Sequence, residues 1–274
     1  MARRAPITCT TRSTMQPRHR ANIAIGGPLV GRLEFALDEL SIVIRGAFMP
    51  HTFSPGWLAS GQLISEDDLS TSSVEVISSN LTVFICGAFR VQVMPEVLQI
   101  STSDLAEIER ARDLVIGILR SLPYAPTSKM GLNRSVHFTP GSEEEWHAIG
   151  DHLAPKEPWE EQGILNLPGM LNVTLQGVRP DKYGGFVQVQ VQPSAKIPSS
   201  VYVAINDHFD LTLVDSQPEQ RGPQFQALSP ESGELTVDKT SVALEILTNE
   251  WNSFNQRAHK AIEFVAGLGG GKRS

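Results

Sequence analysis

Histidines and carboxylates crowd one short stretch of this chain. Glu143, Glu144, Glu145, His147, Asp151 and His152 fall within a few turns of predicted helix, with His137 just upstream. Glu143, His147 and Asp151 recur at i, i+4 and i+8 and would share one helix face, a spacing that suits metal ligation or acid–base work. The H-E-x-x-H arrangement of helical zinc sites is missing. The competing reading is a solvated helix face, and no metal is expected. A hydrolase or metal-dependent enzyme would have to be built on His137, His147, Asp151 and His152.

Upstream of that helix, Asn133, Ser135 and His137 alternate along a predicted strand and would line one of its faces. A Ser/His pair invites a nucleophile-and-base reading, but no G-x-S-x-G elbow exposes a serine. Asn133, Arg134 and Trp159 are instead candidates for binding. So are Arg179, Asp181 and Tyr183, which sit with Lys182 in a connector between two strand runs. Loops on a rigid scaffold carry recognition, although Pro180, Asp181, Gly184 and Gly185 equally describe a plain hairpin turn. Asn206, Asp207, His208 and Asp210 form one more polar cluster, read most simply as a strand-end turn.

No cofactor is expected. Gly267–Lys272 has the composition of a phosphate loop, but it follows a helix, and Arg273 stands where Ser or Thr is needed. A G-x-G-x-x-G turn in a βαβ context is absent.

The elements that must position these groups follow from periodicity. Leu33, Phe35 and Leu37, then Leu40, Ile42 and Ile44, alternate with more polar neighbours, the pattern of strands with one face buried. Residues 60–73 read as a polar connector. Val74–Ile77, the run 81–94 and Val97–Ser101 read as an antiparallel meander, with a bulge or bend at Gly87. Leu105, Ile108, Val115, Ile118, Leu119 and Leu122 form a helical stripe capped by Ser103 or Asp104 and stopped by Pro123 and Pro126. Ser142 and Glu145 predict a capping box for the helix that carries His147. Leu171–Val178, Phe186–Val191 and Val201–Val214 are strand runs, residues 215–237 a loop. One last helix is predicted from about Thr240 to Ala266, with Gly267 as its stop.

The fold class implied is α+β: antiparallel sheet from two meander-plus-helix halves, with long amphipathic helices packed on one sheet face. The expected division is a disordered basic leader (1–32), a first unit (33–140), a second unit (141–268) that could merge with the first into one domain, and a flexible tail (269–274).

The 274 residues carry a net charge of −7, which disfavours nucleic acid and anionic membranes as partners. No run approaches the roughly 20 apolar residues of a membrane helix. The two cysteines, Cys9 and Cys86, form no metal or disulfide pattern and fit a reducing compartment. The leader holds Arg3, Arg4, Arg12, Arg18, Arg20 and Arg32 without one acid, but lacks the apolar stretch of a signal peptide. The expected location is the cytoplasm.

The runs Leu122-Pro123-Tyr124-Ala125-Pro126-Thr127, Gly131-Leu132-Asn133, Ser142-Glu143-Glu144-Glu145-Trp146-His147, Leu153-Ala154-Pro155-Lys156-Glu157-Pro158-Trp159 and Gly177-Val178-Arg179-Pro180-Asp181 resemble a group of uncharacterised bacterial proteins of similar length, over about residues 33–214. That resemblance implies a bacterial, cytoplasmic origin and no assigned activity, so it transfers no site residue. The expected function is binding or assembly without catalysis, through a protein partner or self-association, possible homodimerisation included.

Overall fold

Alternation builds the centre of the molecule. Leu40, Ile42 and Ile44 are fully buried, whereas Ser41, Val43 and Arg45 between them point to the opposite face. The computed structural model describes residues 35–213 and 236–270. The expected leader (1–32), Cys9, residues 215–235 of the expected loop at 215–237, and residues 271–274 lie outside the described residues. All described residues belong to one compact unit, Leu33–Ser274.

The strands are β1 (Phe35–Gly46), β2 (Ser73–Ile77), β3 (Thr82–Cys86), β4 (Phe89–Met94), β5 (Val97–Thr102), β6 (Thr127–Phe138), β7 (Val173–Val178), β8 (Tyr183–Pro193) and β9 (Val201–Leu213). The helices are α1 (Pro55–Ser60), α2 (Glu66–Ser70), α3 (Ile108–Ser121), α4 (Glu143–Leu153), α5 (Glu157–Glu161), α6 (Val237–Asn249) and α7 (Trp251–Gly270). Among the described residues the strands join in one sheet of order β2-β3-β4-β5-β1-β6-β9-β8-β7, and every pairing is antiparallel. The two sequence units share this sheet, because β6 of the first pairs with β9 of the second from Met130↔Phe209 to Phe138↔Val201. The molecule is α+β, with its long helices on one sheet face.

That helix layer is α3 against β1 and β5, and α6 and α7 against β6 and β9. Val115 and Ile118 of the predicted α3 stripe reach the core, joined there by Leu114, by Ile246 and Leu247 of α6, and by Trp251, Phe254, Ala258 and Ile262 of α7. The layer stops short of the β7 end. Leu175 lies on the core side of β7, in register with Val189 and Ile205, yet is 64% exposed. The opposite sheet face carries Ser41, Gln99, Asn133, Ser135, Asn206, Gln188 and Gln190, all half-buried.

Four local expectations are corrected. The run 81–94 is a hairpin, β3–β4, because Gly87 adopts φ +54° and turns the chain in two residues. A Cβ at Gly87 would lie 2.0 Å from Asp68 Oδ1, so no side chain fits there. The connector 60–73 contains α2, whose Ser65 cap accepts the Asp68 N–H while Asp68 takes the Ser65 N–H. The final helix is two helices joined at Glu250. Thr248 bonds back to the Leu244 carbonyl beside that joint, a contact that bends helices. Gly267 does not stop α7, because Leu268 packs on the core beyond it. Gly269 lets α7 approach α4, since a Cβ there would sit 3.1 Å from the Glu145 carbonyl. No helix among the described residues is long and apolar enough to cross a membrane.

Candidate docking site

The helix predicted to carry chemistry forms as its cap dictates. Ser142 Oγ accepts the Glu145 N–H, and the Glu145 carboxylate accepts the N–H of Gly141, one residue before the cap. Such a cap contributes about 1 kcal/mol. Ile149 turns into the core and Trp146 donates its indole N–H to the Ser200 carbonyl, so α4 is fixed against the start of β9.

Its polar groups do not converge. His147 faces Glu143 at 3.7 Å and meets Trp146 edge-on. His152 Nδ1 donates to the Ala148 carbonyl of its own helix at 2.7 Å. Asp151 pairs with Lys156 at 2.6 Å. His137 lies on the sheet, its ring tilted 49° to that of Tyr202 with centroids 4.9 Å apart, and its Nδ1 is 2.8 Å from Ser194 Oγ. Among the described residues no cluster of His, Cys, Asp and Glu has the arrangement of a metal site.

The His137–Ser194 pair was the one that could have served as base and nucleophile. Ser194 Oγ accepts the N–H groups of Lys196 and Ile197, at 3.1 and 2.9 Å. Both lone pairs are thus engaged, and the one hydroxyl proton goes to His137 Nδ1, leaving the ring proton on Nε2. Burial, then the charge of Lys196, hold the His137 pKa below its ordinary value and keep the ring neutral. The geometry is that of a turn lock.

The remaining binding candidates are largely spoken for. Asn133 Nδ2 donates to the Ser41 carbonyl, and Arg134 forks onto Asp38 at 3.0 and 2.7 Å. Arg179 and Tyr183 turn inward from the β7–β8 connector. Arg179 is fully buried, bonded to Asp181 and Asp207 and stacked on Phe209. Tyr183 donates its hydroxyl to Glu245 of α6, and burial together with that carboxylate pushes its pKa up. In the polar cluster of β9, a hydrogen bond from His208 holds the Asp210 carboxyl low. Cys86 is buried in β3, and burial together with Asp68 raises its thiol to about 11. Of the binding candidates only Trp159 is openly exposed, at 51%.

Trp159 begins a surface that pattern reading missed. Ile164, Leu165, Leu167, Leu171 and Leu175 follow it, all exposed, with Leu167 at 84% and Leu171 at 87%. Leu167 also holds φ +49°, a left-handed conformation that costs a leucine about 1–2 kcal/mol. Strain of this kind at an outward-facing side chain is a mark of recognition segments. Behind the segment lies a cavity of about 370 Å³, lined by Trp146, His147, Ile149, Lys156, Met170 and Gln192 among others. Mostly apolar walls with a few polar groups suit a guest side chain or small ligand. The sequence did carry a signal: no charged residue stands between Glu161 and Arg179.

No family model matches the chain, and no curated protein matches it.

Proposed function

We propose that this chain is a non-catalytic cytoplasmic binding or assembly protein that engages another protein through the surface from Trp159 to Leu175. One observation carries the reading: the uncharged stretch between Glu161 and Arg179 exposes Ile164, Leu165, Leu167, Leu171 and Leu175, with Leu167 in a costly backbone conformation. Exposed apolar patches of this kind on soluble proteins mark contact sites.

Magnitudes say what such contact needs. Burying Ile164, Leu167, Leu171 and Leu175 would contribute roughly 6–12 kcal/mol, at about 1.5–3 each. Association costs about 4–15 kcal/mol before any affinity appears. Set against that cost the four side chains leave little surplus, so contact with the cavity behind them adds to the affinity.

A phage-displayed random peptide library panned against the wild type and against the Leu167→Lys/Leu171→Lys double variant tests the reading. Apolar peptides enriched on the wild type and lost on the variant support it. Equal enrichment on both proteins, or none on either, overturns it.

A further inference from the structure

We infer that a second cavity, between the β1–α1 connector and the α3–β6 connector, binds an uncharged aromatic small molecule that bears a hydrogen-bond acceptor. The site shares no residue with the cavity behind the Trp159–Leu175 surface and does not depend on the docking reading.

The two connectors meet where β1 ends. A Cβ at Gly46 would lie 2.8 Å from the Pro126 carbonyl, and the next residue, Ala47, donates its N–H to that carbonyl. Pro50 and Pro55 then open two short helical turns, while Pro123 and Pro126 follow the end of α3. Between these stiff segments lies a space of about 530 Å³. Sites for small molecules run from roughly 300 to 1,000 Å³.

The space reaches the core. Phe48 and Phe53 line it and belong to the buried cluster, whereas Met49 and Tyr124 stand at its mouth, 66% and 89% exposed. Phe48 meets Phe53 edge-on at 6.4 Å, and Trp57 is tilted 54° to Phe53 at 5.1 Å. Rings set at such angles present both edges and faces, the surroundings in which one more ring packs well. A polyproline peptide lies along an aromatic groove on the surface. A pit that ends on core rings suits a compact guest instead.

Electrostatics narrows the class. Among the described residues the lining holds no charged side chain. An ion entering it would lose its water and gain no partner. The polar groups of the walls are already bonded. Thr52 donates its hydroxyl to the Met49 carbonyl, Ser121 to the Gly117 carbonyl, and the Ala125 N–H goes to the Leu122 carbonyl. The Ala125 carbonyl in turn accepts from Thr240 of α6. Two side-chain donors are left. Among the described residues nothing accepts the Trp57 indole N–H or the Tyr124 hydroxyl. A carbonyl or ether oxygen on the guest answers them without bringing charge.

Isothermal titration calorimetry on the full chain tests the site, with 2-acetylnaphthalene as the probe: a flat neutral ring system with one carbonyl. Saturable binding at one site per chain, with a negative heat-capacity change, is expected. 2-Naphthoate and protonated 2-naphthylmethylamine have the same shape but carry charge, and should bind at least ~10-fold more weakly. The Trp57→Phe/Tyr124→Phe double variant should weaken 2-acetylnaphthalene roughly 3- to 10-fold and leave naphthalene, which has no acceptor, unchanged. Ala47→Trp fills the mouth and should abolish binding with an unchanged circular dichroism spectrum. The Leu167→Lys/Leu171→Lys variant should bind the probe like the wild type. A wild type that does not bind, equal affinity for 2-naphthoate, or binding that survives Ala47→Trp overturns the proposal. Loss of binding in Leu167→Lys/Leu171→Lys would put the probe in the other cavity and overturn it too. Decaproline that binds more tightly than the probe, and is lost with Ala47→Trp, would make this a peptide groove and equally sink the small-molecule site.

Discussion

Arg257 on α7 donates to both carboxylate oxygens of Asp207 on β9, and Arg179 reaches the same carboxylate from the β7–β8 connector. Asp207 and Arg179 are fully buried. One aspartate therefore ties a hairpin, a central strand and the last helix together. Asp181 bonds Arg179 from its own loop, so the group holds two arginines against two aspartates.

Removing that carboxylate should be expensive. Asp207→Asn leaves Arg179 and Arg257 facing a neutral amide in a dry site. Breaking a buried pair from one side costs about 3–5 kcal/mol. Urea unfolding should show a large drop in midpoint. A drop worth under about 1 kcal/mol would mean that the site is solvated.

His137 should give the protein a pH dependence near neutrality. Its folded pKa lies below the ordinary 6.5, first because it is buried and then because Lys196 is near, with Glu39 opposing weakly. The unfolded chain thus binds a proton that the folded protein refuses. This contribution to stability is fully present above pH 6.5 and is lost as pH falls below it toward the folded value. Urea midpoints measured from pH 7.5 downward should decline in the wild type. His137→Gln should lack that part of the decline, and parallel profiles for the two proteins would count against the lock at Ser194.

Leu167 sets stability against binding. Leu167→Gly removes a strained left-handed leucine from a fully exposed position, and glycine adopts that φ freely. The variant should gain about 0.5–1 kcal/mol in urea, within the 1–2 kcal/mol that the conformation costs. The same change should weaken enrichment of apolar peptides in the panning experiment. A less stable variant would show that Leu167 packs inward in solution.

Much of the fold was legible because burial has a period. The alternation in β1, the stripe of α3 and the Ser142 cap each state a local rule that tertiary packing then obeys. Failures came where one residue overrode the period. Gly87 hid a hairpin inside a continuous apolar run, and Leu268 carried α7 past the glycine that looked like its end. The site was less legible. Titratable residues attract attention in a sequence, but here they are bonded to near neighbours: His152 to its own helix, His147 to Glu143, Arg179 to Asp181. The exposed apolar segment shows itself through missing charge, and the exposure of its leucines depends on how far the helix layer reaches, which periodicity does not encode.

The position of β1 has a consequence for synthesis. Phe35–Gly46 is the first described strand, yet it lies mid-sheet between β5 and β6, both made much later. At about 5–20 residues per second, the interval between completing β1 and completing β6 is roughly 5–20 s. Until β5 is made a nascent chain holds out a strand with two unsatisfied edges and the stripe Leu40, Ile42, Ile44, and until β6 follows one of those edges stays open. Pairings this distant in sequence slow folding and expose the chain to aggregation. Yield in cells should therefore respond to ribosome speed, growth temperature and chaperone supply more than to any substitution on the surface of the finished sheet.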